Sequence, residues 1–462
     1  MALQLLARTM GTKSFYPPST WLFWAEIICL LLLPHPATAH SLEPIFHDIG
    51  KIQSGFKNHG ITLETVNTTD IGSALNRKGG PKVLVIGDID LLLTLDTEKF
   101  VNWKGGTLFL YGLGLYGGNI AEGREAQGVS NISANNTWKL FEGWYQQNLF
   151  QERFSFLAGL YDVTSEFDVL RSASELFIHS SFGTNPTFAL SGMNGPSSFP
   201  TTSLGVRAQF KLTEALTFRT AVVDGVPGDP DNPGGTKILL RSEDGILVTS
   251  EAAYYLGKPH LEKKRRAGSM VDVSRRLVFR RIGRAAELDY SGKFAVGGWF
   301  YTTELEDLST RQSDGTLKTR DGTFGIYGVA EYSVYGEPGS EEQGLWVFAE
   351  VAYADPQVNR FSHYFGGGAV YRGLIPGRDR DETGLGFAIA RNGHHYKRGQ
   401  RQQGQRVTDQ EVVLEGTHAV QVTNDVVVQF DTQAVLYPNT DPTRRHAFVL
   451  LTRLEWSLNW FE

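Results

Sequence analysis

Cysteine is almost missing from this 462-residue chain, with Cys29 standing alone. Disulfides and cysteine metal sites are therefore excluded. Long hydrophobic runs are missing as well. No uncharged apolar stretch reaches the roughly 18 residues of a spanning helix, and with 20 % of residues charged a bundle of membrane helices is excluded. Positive charge is not in excess: the formal net charge is -6, which leaves no global footprint for nucleic acid. Catalytic signatures are absent too. There is no Gly-x-Ser-x-Gly elbow and no phosphate-binding loop, and His394-His395 runs into Tyr396-Lys397-Arg398-Gly399, which reads as an exposed loop without a carboxylate at metal spacing. No catalytic residue, metal or cofactor is assigned, and the chain reads as no enzyme.

What is present argues against disorder: 41 % hydrophobic residues, 12 % aromatic residues and 51 glycines suit a β-rich chain with many turns. Residues 1–39 read as an export signal. Arg8 and Lys13 precede an apolar core, Trp21–Leu33, and Ala37-Thr38-Ala39 fits the small-x-small cleavage pattern. The alternative is a tethering helix, for which thirteen apolar positions are short. Cleavage near Ala39 would start the mature chain at His40 and remove Cys29 with the leader.

Leu42, Ile45, Phe46, Ile49, Ile52 and Phe56 then recur at three- and four-residue spacing, predicting a short helical segment over 40–58. From about residue 60 the period is two. Ile89, Leu91, Leu93 and Leu95 alternate with Asp88, Asp90, Leu92, Thr94 and Asp96; Leu345, Val347, Ala349, Val351 and Tyr353 with Trp346, Phe348 and Glu350; Val426, Val428, Phe430, Thr432, Ala434 and Leu436 with Gln429, Asp431 and Gln433. The final run sets Phe448, Leu450, Thr452, Leu454, Trp456, Leu458 and Trp460 against Val449, Leu451, Arg453, Glu455, Ser457, Asn459 and Phe461.

Two packed sheets of an exported glycan-binding β-sandwich would alternate in the same way. Three features favour a transmembrane barrel instead: charged residues at mid-strand, aromatics near run ends (Trp144, Tyr145, Tyr254, Tyr255, Trp299, Tyr301, Trp456, Trp460), and a chain that ends on a strand. At roughly 25 residues per strand and connection, the mature chain supplies about sixteen antiparallel strands, the girth at which a barrel encloses water.

Several ordered blocks carry a resemblance. Gly159-Leu160-Tyr161-Asp162-Val163-Thr164-Ser165-Glu166-Phe167-Asp168-Val169, Ser180-Ser181-Phe182-Gly183, Gly192-Met193-Asn194-Gly195-Pro196-Ser197 and Ser203-Leu204-Gly205-Val206-Arg207 resemble the carbohydrate-selective porin family, OprB type. Asp224-Gly225-Val226-Pro227-Gly228-Asp229-Pro230 and Tyr371-Arg372-Gly373-Leu374-Ile375-Pro376-Gly377-Arg378 extend the likeness. The resemblance implies a sixteen-stranded porin in the outer membrane of a Gram-negative cell, passing monosaccharides such as glucose by facilitated diffusion. A barrel enzyme is the remaining alternative. Two departures stand out. Phe461 is followed by a non-aromatic Glu462, and 258–284 concentrates ten basic residues against Glu262 and Asp272. That segment reads as a basic loop or insertion, solvated or binding lipopolysaccharide phosphates.

Sugars present hydroxyls and apolar C–H faces, so a selective constriction combines carboxylates, amides or arginines with aromatic rings. Asp162, Glu166 and Asp168 are the expected hydroxyl acceptors, Asn194 and Arg207 the donors, and Phe167 the stacking surface. The same groups could instead only pin an inward loop to the wall. Arg372 is the expected eyelet cation, with Arg378 and Asp379 beside it, setting a transverse field across the pore. Asp224 is read as a turn residue. The expected partners are small sugars and outer-membrane lipid, with monomer and homotrimer both open.

Overall fold

The computed structural model describes residues 55–56, 58–75, 82–118, 125–257, 290–340 and 342–460. The leader, most of 40–58, the basic segment 258–284 and the last two residues lie outside them. Runs of period two become sixteen strands: β1 (Ile61–Ala74), β2 (Leu84–Asp96), β3 (Gly106–Tyr116), β4 (Thr137–Leu149), β5 (Phe154–Tyr161), β6 (Ser203–Lys211), β7 (Leu216–Asp224) and β8 (Ile246–Gly257) form the first half. The second half is β9 (Tyr290–Arg311), β10 (Leu317–Gly336), β11 (Gly344–Ala354), β12 (Phe361–Arg372), β13 (Glu382–Asn392), β14 (Gln410–Gln421), β15 (Val426–Leu436) and β16 (Ala447–Asn459). Each strand pairs antiparallel with its sequence neighbours, and β16 returns to pair with β1. The result is a closed barrel without a free edge, which a sandwich could not be.

The alternation is inverted relative to a soluble protein. On β14 and β15, Leu414 is 49 % and Phe430 55 % exposed, whereas the neighbouring Glu415 and Asp431 are each 3 % exposed on the inner side. Phe448, Leu450, Trp456 and Leu458 of β16 likewise point out, and Val449, Leu451, Arg453 and Glu455 point in. An apolar outer belt around a polar interior is what a lipid surround demands. No helix among the described residues is long and apolar enough to cross a membrane.

The seam is held by more than its ladder. Asp70 sits opposite Arg453 in the β1/β16 register, and their inward side chains form a forked ion pair at 2.7 and 2.8 Å. Trp460 continues the outward phase beyond β16; its indole N–H donates to Thr65 at 2.8 Å.

The structure corrects the aromatic reading in part. Tyr254 and Trp456 face outward, but Trp144, Trp299 and Tyr301 are buried inside, and Tyr255 shares the inward phase of Glu251. A position near a strand end does not choose the face; parity does. His394-His395 also differs from expectation: residues His394–Gln402 form a helix packed on β9, with no room for a side chain between Gly399 and the Leu308 carbonyl.

The two ends of the barrel are unlike. One carries the tight turns 150–153, 212–215 and 422–425; the other carries the long connections 117–136, 162–202, 225–245 and 393–409. Gly257 and Tyr290, which flank the basic segment, pair with each other at the turn end. If the outer face meets lipid, Leu414→Arg should cost about 2–4 kcal/mol in a refolding titration into bilayers. A neutral result, as expected of a soluble surface, would contradict the assignment.

Candidate functional site

The connection 162–202 between β5 and β6 does not stay at the rim. It enters the barrel and lies against the wall through a set of paired polar contacts. An irregular segment packed against the wall and shielded there from water must satisfy its N–H and C=O groups, and the inward phase of the strands supplies partners for both.

Wall glutamates receive the amides. Glu142 on β4 accepts from Asp162 N–H at 3.2 Å, and Glu251 on β8 accepts from Asp168 N–H at 3.1 Å. Glu331 on β10 accepts from Arg171 and Ser172 N–H at 3.2 and 2.8 Å. Glu415 on β14 accepts from Ile178 N–H at 2.7 Å and from His179 N–H. Wall donors take the carbonyls: Lys293 bonds Val169 O at 2.7 Å, Gln429 bonds Leu176 O at 2.6 Å, and Tyr364 bonds Ser181 O at 3.0 Å. A second connection, 125–136, docks in the same manner, with Glu411 accepting from Ala126 and Gln127 N–H and Gln433 donating to Val129 O.

Shape allows the approach. Gly384 and Gly386 of β13 face the loop rings so closely that a Cβ would come within 2.9 Å of Phe177 and 2.8 Å of Phe182 respectively. Phe188 stacks on Trp299 at 5.7 Å between centroids, giving the returning half of the loop an apolar seat.

The residues expected to form the constriction come together in two groups. Asp162, Glu166, Asp168 and Arg207 meet at the loop base and are occupied there. Asp162 caps the following turn, accepting from Thr164 N–H and Oγ1–H at 2.8 and 2.7 Å. Arg207 donates to both oxygens of Glu166 at 2.8 and 3.1 Å, and to Ser155 and Gln146 at 2.6 Å each. Phe167 is fully buried, so in this arrangement its ring offers no stacking face. Asn194 is exposed, with its amide donating to Pro227 O at 2.7 Å.

The second group sits at the turn end. Arg372 is inward and bonds Glu342 at 2.9 Å. Arg378 grips Asp381 with two bonds, at 2.7 and 2.8 Å, and Asp379 is exposed; both belong to the turn after β12 and not to the wall. Arg219 on β7, which donates to Glu166 O at 2.5 Å, and the four loop-binding glutamates were not singled out from sequence. Their signal was a charged residue at an inward mid-strand position, and nothing in the sequence said which loop atom each would hold.

A Ser–His–Asp contact occurs where helix His394–Gln402 meets β9, but Ser309 and Asp307 both engage Nδ1 of His395, at 3.1 and 2.9 Å. A proton relay needs the two partners on different ring nitrogens. The cluster docks the helix. Among the described residues no group of three or more metal-ligating side chains could hold a metal ion.

Asp168 is a titratable anchor of the loop base. Burial, the largest influence, together with the Glu251 charge pushes its carboxyl up to about 7 against hydrogen bonds from Asn185 and Glu350. It is faced by Asn185 of the loop, Glu251 of β8, Tyr327 of β10 and Glu350 of β11, with Lys293 of β9 held at 3.6 Å from Glu251. A raised carboxyl favours the protonated folded form, so its stabilisation is complete below about 4 and lost as pH rises through about 7. Proteolytic nicking of 162–202 in detergent should therefore increase between pH 5 and 8, and Asp168→Asn should flatten that rise. A flat wild-type profile would remove the role.

Comparison with known proteins agrees with this architecture. Residues 83–458 match the family described as carbohydrate-selective porin, OprB family. Porin B of Pseudomonas aeruginosa is 28 % identical over 117 residues, which are 24 % of this chain and only 26 % of that protein. The high-pH structure of Pseudomonas putida OprB superposes with a TM-score of 0.74 at 17 % identity, covering 89 % of this chain and 97 % of the other. The low-pH structure has the same coverage, a TM-score of 0.55 and 15 % identity. Family and barrel together imply the outer membrane of a Gram-negative cell. With most of its length matched, from just before β2 to the closing strand, the chain belongs to the OprB family of carbohydrate-selective porins.

Proposed function

We propose that this protein is a passive channel for monosaccharides such as glucose, working without bound cofactor, energy input or catalysis. The observation that supports the reading is the infolded segment 162–202, held inside a closed barrel by wall carboxylates and donors. A lumen narrowed this way filters by contact and not by size alone. Weak sites lower the entry barrier for a sugar without trapping it.

The same proposal includes export: the leader 1–39 is removed after Ala39, and 40–462 is the mature barrel, beginning with the 40–58 segment and interrupted by the basic segment 258–284. Tight turns mark the periplasmic end of such barrels. The strands that the basic segment joins finish at that end, so a lipopolysaccharide partner at the outer rim is not part of the proposal.

In proteoliposomes containing the mature chain, glucose should produce swelling and a charged disaccharide should not. Impermeable vesicles, or equal rates for both, would reject the function. Arg372→Ala should raise ion conductance in single-channel recordings by removing a cation from the inner wall. Unchanged conductance would remove Arg372 from the permeation path.

A further inference from the structure

On the turn side of the infolded segment, the inner wall carries an aromatic arc that the anchoring contacts only partly explain. Tyr255 on β8, Tyr290 on β9 and Trp346 on β11 follow one another round the wall. The ring centroids of Tyr255 and Tyr290 are 5.3 Å apart at 55°, and those of Tyr290 and Trp346 are 6.2 Å apart at 81°. Tyr290 is buried and fixed by its hydroxyl, which donates to Glu331 at 2.5 Å. Tyr255 and Trp346 are only half-buried. Other inward rings, such as Trp144, Phe188, Trp299 and Tyr301, are covered almost completely by packing. Packing therefore accounts for those rings and leaves surface over on these two.

Charged groups adjoin the arc. Trp346 pairs with Val370 across β11 and β12, so Arg372 occupies the next inward position along the neighbouring strand. Arg372 in turn pairs with Glu382 of β13, which interacts with Arg372 and with Glu175 of the loop. Glu175 is bonded to Arg171 at 3.2 Å. One guanidinium nitrogen of Arg372 holds Glu342, while its buried Nε–H has no hydrogen-bond partner among the described residues. An unpaired donor on a buried cation is costly unless a ligand or water meets it.

Taking the sugar-channel reading as its premise, we propose that Tyr255, Trp346, Arg372 and Glu382 form a subsite for the ring form of a sugar. Stacking alone would accept any apolar solute and charge alone would accept ions; together they demand a flat C–H face bordered by hydroxyls, which a pyranose has and an open-chain polyol of equal carbon number lacks. Arg372 Nε–H donates to a hydroxyl, Glu382 accepts from one, and the half-buried rings carry the face.

The test compares glucose with sorbitol influx into proteoliposomes. The wild-type channel should prefer glucose. Trp346→Leu should lower the glucose-to-sorbitol ratio about threefold to tenfold, the weight of one aromatic contact, and Trp346→Phe should restore most of it. Heat-modifiable gel migration verifies that each barrel is folded, and Tyr255→Leu carries the test if Trp346→Leu does not assemble. Vesicles impermeable to glucose would overturn the sugar-channel reading itself, whereas equal glucose and sorbitol influx through the wild type would overturn the subsite. A wild-type preference that survives both leucine variants would overturn the subsite alone.

Discussion

A wall surrounded by hydrocarbon offers its backbone no partner outside itself. Every strand must then be bonded along both edges, and in this chain the requirement is met only when β16 reaches β1. The rest follows from that closure. Apolar side chains have to point outward, which reverses the usual placement and sends charged residues into the interior. The interior of a sixteen-stranded barrel is too wide for side chains alone to fill. Backbone segments enter it, and their peptide groups bring the same hydrogen-bonding demand with them.

The inner wall answers with a division of labour. Carboxylates at Glu142, Glu251, Glu331, Glu411 and Glu415 take amides, while Lys293, Gln429, Gln433 and Tyr364 take carbonyls. Charge-assisted bonds of this type are among the stronger ones available to a protein. Much of the lumen's charge is therefore structural, committed to holding the infolded segments in place. In the proposed channel, permeation chemistry falls to other groups, such as the half-buried rings and Arg372.

The architecture was legible in the sequence because a period of two survives any detail of packing. Leu91 against Asp90, or Phe430 against Asp431, states which side is wet without reference to a partner. Strand number followed from length, and the family blocks around Tyr161 and Tyr371 fixed the identity. Individual roles were less legible, for a physical reason. Phe167 and Arg207 carry suitable chemistry for a sugar, yet both are consumed by contacts that depend on how the 162–202 chain turns inside the lumen. Likewise Trp144 and Tyr301 looked like membrane-surface aromatics by position, and a single step of parity sends them inward. The helix at His394–Gln402 escaped because its stability comes from docking on β9, and its own sequence is strongly polar.

The seam ion pair has a bearing on biogenesis. Asp70 and Arg453 are separated by 383 positions, so this β1 carboxylate waits for nearly the whole polypeptide before its guanidinium arrives. Until then both margins of the growing sheet are sticky ribbons, prone to join those of other copies. Such a chain depends on being kept apart from its siblings during transit, and a ribosome or translocation fault late in the sequence forfeits the entire cylinder, not merely its last stave.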